Sequence, residues 1–174
     1  DEVMAGFGRT GKMFAFENFD VKPDIVTFAK GVTCGYVQLG GVAVSKKIAE
    51  YFEEHVLSCG LTYSGHPLAC AAALKTIEIM ERDDLAGRSC EIGEKVMARY
   101  NELKEKYECV GDVRGLGGMV GIEFVKDKKT KEPAPELTSA VITECWKRGL
   151  LVEGAGTYNN VIRFLAPLVI TDEQ

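Results

Sequence analysis

The run DIVTFAKG places Lys30 directly after residues 24–29, a short, largely apolar stretch with two β-branched aliphatics that suits a buried strand. A lysine there can be partly desolvated. Loss of water disfavours its ammonium form and frees an amine able to attack a carbonyl, which is Schiff-base chemistry. The plainer alternative is that Lys30 marks where the strand meets water, with its stem on apolar surface and its head solvated. Three more residues have types that could do chemistry. Asp1 is an acid at what reads as a strand end, Thr62 lies in the polar stretch LTYSGHP, and Arg163 interrupts the apolar run VIRFL. Such an arginine snorkels, pairs with a structural acid, or grips an anionic ligand with its planar fork.

Gly6-Phe7-Gly8-Arg9-Thr10-Gly11 matches the dinucleotide-binding pattern G-x-G-x-x-G. That pattern needs a strand before it, a helix starting at its third glycine and an acid about 20 residues on, at the end of a second strand. The preceding residues DEVMA and the absence of such an acid argue against it.

The elements that must position these residues follow from pattern. Residues 1–12, rich in Gly and charge, form a loop, and 13–19 (MFAFENF) suit a short aromatic-lined helix before Pro23. Residues 39–45 suit a strand and 46–54 a helix, and Pro67 fits the first turn of an Ala-rich helix running to about residue 82. A second long helix spans about 84–107, with Leu85, Ile92, Val96 and Leu103 among charges. Two short strands fall in 113–125, a helix over 136–148, and strands over 150–152 and 161–165. The Arg-Asp-Asp break near residue 82 divides the chain into a first part, 1–82, and a second, 83–174.

Composition bounds the function. With 46% hydrophobic and 27% charged residues the chain is an ordinary globular protein, and its net charge of -5 offers no basic stripe for nucleic acid. Six cysteines are scattered without a C-x-x-C pair, and with only two histidines their spacing does not suit zinc; reduced, buried thiols of a cytoplasmic protein are expected. No stretch reaches the roughly 20 apolar residues of a membrane span. The chain opens on Asp-Glu-Val-Met without an initiator Met, as expected of a piece of something longer.

Several separated strings, in order along essentially all of the chain, carry a resemblance: DEV-x-x-GFGRTGKMFA, PDIVTFAKG, LTYSGHPLACAAAL, GDVRGLGGMVGIE and NVIRFLAPLVIT. Together they resemble the class III (ω-amino-acid) aminotransferases. The resemblance implies an α/β, fold-type I enzyme that depends on pyridoxal 5'-phosphate, with residues 1–82 from the large, mostly parallel-sheet domain and 83–174 from the small C-terminal domain, both incomplete. It makes Lys30 the Schiff-base lysine and proton carrier, Asp1 the acid that pairs with the pyridine nitrogen, and Val3 the residue packed on one ring face. Thr62 matches the threonine that binds the cofactor phosphate from the neighbouring subunit of a homodimer, and Arg163 the arginine that grips the carboxylate of the amino-acid or oxo-acid partner. The reaction implied is ping-pong transamination between an amino donor of the taurine, β-alanine or 4-aminobutyrate type and an oxo acid such as pyruvate or 2-oxoglutarate. Met4 stands where many members carry a glutamine that contacts the ring hydroxyl, and His66 where 4-aminobutyrate-type members usually carry asparagine. An aminomutase, decarboxylase or racemase of the same fold, or a relative that has lost catalysis, are the rival readings.

Overall fold

The β-branched runs IVTF and GVAV pair as β1 (Ile25–Phe28) and β2 (Gly41–Val44), antiparallel, with Ile25 opposite Val44 and Phe28 opposite Gly41. β1 ends at the turn that carries Lys30, a 3-10 segment over Lys30–Thr33. Beneath that turn lies a small apolar centre of Phe7, Val32, Ala73 and Met80, with Phe14, Phe28, Leu39 and Ile77 packed on it. Ala73 and Met80 come from α2 (Pro67–Arg82), which packs directly on the Lys30–Thr33 turn. The turn therefore rests on a helix whose small residues allow close approach.

The structure is a computed structural model describing residues 1–174, and it divides into two compact units, Asp1–Gly87 and Arg88–Gln174. In the first, α1 (Lys46–Glu54) buries none of its residues and leaves Tyr51 and Phe52 exposed. α2 starts where expected because Pro67 occupies its first turn, and the His66 ring nitrogen Nδ1 accepts from the Leu68 amide at 3.2 Å. Asparagine is also a good N-cap, so the histidine at this place performs a capping task that either residue can perform. The segment expected as a helix over 13–19 is only a four-residue 3-10 turn, Ala15–Asn18. Its Ala15 and Phe16 amides are drawn to the Glu2 carboxylate at 2.9 and 3.0 Å, and its aromatic rings are anchored to Phe7 rather than to a helix face.

α3 (Leu85–Lys106) begins just before the second unit, which continues with β3 (Val110–Leu116), β4 (Met119–Phe124), α4 (Pro135–Lys147), β5 (Glu153–Ala155) and β6 (Val161–Phe164). The strands form one antiparallel sheet in the order β3-β4-β6-β5. Val120, Ile122 and Phe124 alternate onto one face and, with Val113 and Ile162, meet Val96, Met97 and Tyr100 of α3 and Val141 and Ile142 of α4. Both sheets are antiparallel, so these residues alone do not form the mostly parallel sheet that the resemblance implies; the mixture of helix and sheet is that of an α/β fold.

Two expectations need correction. The strand expected over 150–152 lies at Glu153–Ala155 instead. The backbone of residues 149 and 150 closes the end of α4, with the Leu150 amide donating to Cys145 and the Gly149 amide to Trp146, both at 2.9 Å. Nor are the cysteines buried. Cys34, Cys59 and Cys90 are exposed and Cys70, Cys109 and Cys145 half-buried; of the six, Cys109 packs on the apolar centre of the second unit without being enclosed by it.

Candidate active site

Lys30 stands two residues beyond the end of β1, at the start of the 3-10 turn, with φ of 43°. A non-glycine residue in the left-handed region costs on the order of 1 kcal/mol, and such strain gathers at functional sites. Its Nζ contacts the Met4 thioether at 2.5 Å. The expectation that Lys30 is desolvated is not met: it is exposed, because β1 itself is only half-covered in this unit.

Met4 belongs to the opening segment, whose course is fixed from two directions. The Glu2 amide donates to the Thr27 carbonyl at 2.7 Å, and the buried Glu2 carboxylate takes the Ala15 and Phe16 amides. Flanking it, the exposed Asp1 carboxylate accepts the Val3 amide through Oδ1 at 2.8 Å, which leaves Oδ2 for a partner. Asp1, half-buried Val3, Met4 and Lys30 thus form one neighbourhood, and Glu2, which the sequence reading did not single out, holds it in place. Asp followed by Glu at an apolar turn was the only signal available.

The GFGRTG loop is structural. The Phe7 and Gly8 amides go to the Met13 carbonyl at 2.6 and 3.3 Å, the Gly11 amide goes to Gly8 at 3.1 Å, and no helix starts at Gly11. Amides used inside the loop cannot cradle a pyrophosphate. Burial pushes the Arg9 guanidinium down from its ordinary value, with the Cys34 thiol acting in the opposite sense.

Lys30 also lines a cleft of about 580 Å³ with Thr33, Gln38, Leu39, Tyr63 and Ser64, within the roughly 300–1,000 Å³ range of small-molecule sites. Asp1, Val3 and Thr62 do not line it. Thr62 sits in the exposed turn between Leu61 and His66, where the Leu61 amide and Ser64 hydroxyl bond at 3.2 Å and the Thr62 hydroxyl has no partner within the chain. Arg163, in β6 of the second unit, meets the Glu153 carboxylate at 3.4 Å through Nη2, and its buried Nε has no partner. The structure thus groups Asp1, Val3 and Lys30, while Thr62 and Arg163 belong to other segments.

The family model for class III aminotransferases matches residues 1–174, and the chain belongs to that family. It is 44% identical over 174 residues to the 5-aminovalerate aminotransferase DavT of Pseudomonas aeruginosa, covering 100% of this chain and 40% of that protein. An alanine/serine racemase of Pyrococcus horikoshii is 43% identical, covering 99% of this chain and 35% of the racemase. Among solved structures, the taurine:2-oxoglutarate aminotransferase of Bifidobacterium kashiwanohense, in complex with PLP and glutamate, superposes with a TM-score of 0.92 at 46% identity, covering 100% of this chain and 40% of that one. The chain therefore spans about 40% of the length of the aminotransferases it matches.

Class III aminotransferases depend on pyridoxal phosphate, and the residues here fit that group. An exposed lysine amine can bond its carbonyl, a carboxylate with a spare oxygen can face its ring nitrogen, and an unpartnered threonine hydroxyl can meet its phosphate. The Arg163 Nε is buried without a partner, a costly state that an anion beside it would relieve.

Proposed function

We propose that this chain is the part of a pyridoxal-phosphate-dependent aminotransferase that carries its catalytic lysine, exchanging an amino group between an ω-amino acid or amine and an oxo acid. The observation that carries the reading is the neighbourhood of Lys30, Met4, Val3 and Asp1, tied to β1 by the bond from Glu2 to Thr27.

When bound, the cofactor supplies a carbonyl for amine exchange and a ring that takes up the electron pair released at the substrate carbon. Lys30 offers the nucleophilic amine and moves the proton to and from that carbon. Asp1 keeps the ring nitrogen protonated through an ion pair, and Val3 covers one ring face. Thr62 donates its hydroxyl to the phosphate across a homodimer interface. Arg163 holds the carboxylate of the oxo acid in a planar fork. The order is ping-pong, the donor leaving as its oxo product before the oxo acid enters. Residues 1–82 belong on this reading to the cofactor-binding domain and 83–174 to the smaller one.

The test uses the full-length protein that contains this chain. Its visible absorption is recorded, it is reduced with borohydride, and the peptide containing Lys30 is examined for a pyridoxyl group by mass spectrometry. A label on Lys30, absent in Lys30→Ala together with turnover, is expected; a colourless protein or a label on another lysine would sink the reading. The likeness to the alanine/serine racemase supports a second reading, a racemase on the same scaffold. Consumption of amine that depends on added pyruvate or 2-oxoglutarate separates the two, because racemisation needs no acceptor.

A further inference from the structure

The chain has five methionines, of which Met80 is buried and Met13, Met97 and Met119 are half-buried. Met80 lies within the apolar centre beneath the Lys30 turn, Met13 packs on that centre, and Met97 packs on the centre of the second unit. That is the usual work of a thioether, which fills apolar gaps. Met4 does none of it: it belongs to neither centre and is 38% exposed.

The Met4 sulfur instead meets a charge-bearing group, the Lys30 Nζ at 2.5 Å. Both ends of the contact are anchored. Glu2 ties the opening segment to Thr27 and takes the Ala15 and Phe16 amides, and Lys30 opens the turn that packs on α2. A thioether is only a weak acceptor, so the sulfur does little to hold the amine, and its lone pairs stay available for chemistry.

We propose that Met4 is an oxidation site whose sulfoxide restrains Lys30. The oxidant is a hydroperoxide, hydrogen peroxide in the simplest case. A sulfur lone pair attacks one peroxide oxygen: the S–O bond forms, the O–O bond breaks, and the Lys30 ammonium gives its proton to the departing hydroxide, which leaves as water. The proton on the oxygen now bound to sulfur passes to the Lys30 amine, which ends as it began, and an electron pair has passed from sulfur to the peroxide. The product is polar where the thioether was apolar, and its oxygen stands beside Nζ as a far better acceptor. An ammonium held by that oxygen is not the free amine that attacks a carbonyl, so Lys30 is slowed until a reductase restores the thioether. The restraint rests on the reading of Lys30 as the Schiff-base lysine; the oxidation of Met4 does not.

The full-length protein, stripped of cofactor, is treated with hydrogen peroxide, and oxygen uptake at each methionine of the chain is followed by peptide mass spectrometry. Met4 should take up oxygen ahead of the other four. In Lys30→Ala it should react more slowly although its sulfur is then less covered, because the proton donor is gone. Pyridoxal phosphate is then added and the growth of visible absorption timed, each protein being compared with itself before peroxide. Wild type should slow about tenfold or more, the worth of a hydrogen bond to a charged group. Met4→Leu, which has no sulfur, should keep its own rate, and methionine sulfoxide reductase should restore that of wild type. If Met4 reacts no sooner than Met13, or as fast in Lys30→Ala, the oxidation site is wrong. If Met4 is oxidised first and cofactor uptake keeps its rate, the sulfoxide does not restrain Lys30. If borohydride fixes the cofactor on another lysine, the reading of Lys30 fails and the restraint falls with it, while the oxidation pattern still decides whether Met4 is the modified residue.

Discussion

The amide of Glu2 donates to the carbonyl of Thr27 across 2.7 Å, so the residue beside Asp1 is bonded to the strand that ends two residues before Lys30. On the proposed function, an acid and an amine that act on opposite ends of one small ring need a fixed separation. A backbone bond between rigid segments supplies it better than side chains could.

Glu2 is therefore expected to matter as much as the residues it flanks. Its carboxylate is buried, at 5% exposure, and serves the Ala15 and Phe16 amides. Glu2→Ala leaves two donors unsatisfied, and each buried group so orphaned costs about 1–3 kcal/mol. Glu2→Gln keeps one acceptor and presents an NH2 to the other amide, so it should lose less. Thermal unfolding of the full-length variants gives the order, and cofactor release should follow it. An alanine variant as stable as wild type would show that these bonds do not hold the opening segment.

Much of this was legible in the sequence. The helix starting at Pro67 declares itself through its first-turn proline and Ala-rich run, and Lys30 through the apolar strand before it. The role of Glu2 could not be read, because its partners are backbone amides 13 and 14 residues away and carry no side-chain signature. β5 was misplaced because EGA has no β-branched residue; it is a strand only because β6 pairs with it. The orphaned Nε of Arg163 likewise depends on a register that no local pattern encodes.

Thr62 separates a ligand role from a structural one. Its exposed hydroxyl has no partner within the chain, so Thr62→Ala should change stability by no more than about 0.5 kcal/mol. If it holds the phosphate across a dimer, a hydrogen bond to a charged group is lost, about 1.5–3 kcal/mol, or roughly tenfold or more in the cofactor's dissociation constant. Titration of the apoprotein with pyridoxal phosphate decides it, and an unchanged constant removes Thr62 from the site.

Gly93 fixes how α3 meets the turn between β3 and β4. A Cβ at Gly93 would lie 2.0 Å from the Gly117 carbonyl oxygen, and the Gly118 amide donates to the buried Ser89 hydroxyl, one helical turn earlier, at 2.8 Å. Backbone cannot yield as a flexible side chain can. Gly93→Ala should cost about 1–3 kcal/mol from overpacking, and Ser89→Ala a similar amount from the orphaned amide. Denaturant midpoints of the two variants and the double variant are the measurement. A shared contact predicts a double variant less destabilised than the sum, because once the turn has moved away the second change finds little left to lose.

Asp172 gives the second unit a dependence on acid. The Lys95 ammonium and the Arg88 guanidinium, the latter at 2.8 Å, hold its carboxyl down from 3.8 to about 2. In the unfolded chain both partners are gone and the carboxyl titrates near its ordinary value. A folded value below the unfolded one means the native state prefers the ionised form, so this stabilisation is complete above about pH 5 and fades as pH falls from there through about 2. The group is fully exposed, so salt should weaken the effect throughout. Asp172→Asn should accordingly be less stable than wild type at pH 7 in low salt, and the difference should shrink on acidification and on adding salt. The measurement is the denaturant midpoint of both proteins between pH 2 and 7. A difference that persists unchanged at pH 2 would mean that the residue acts by packing rather than by its charge.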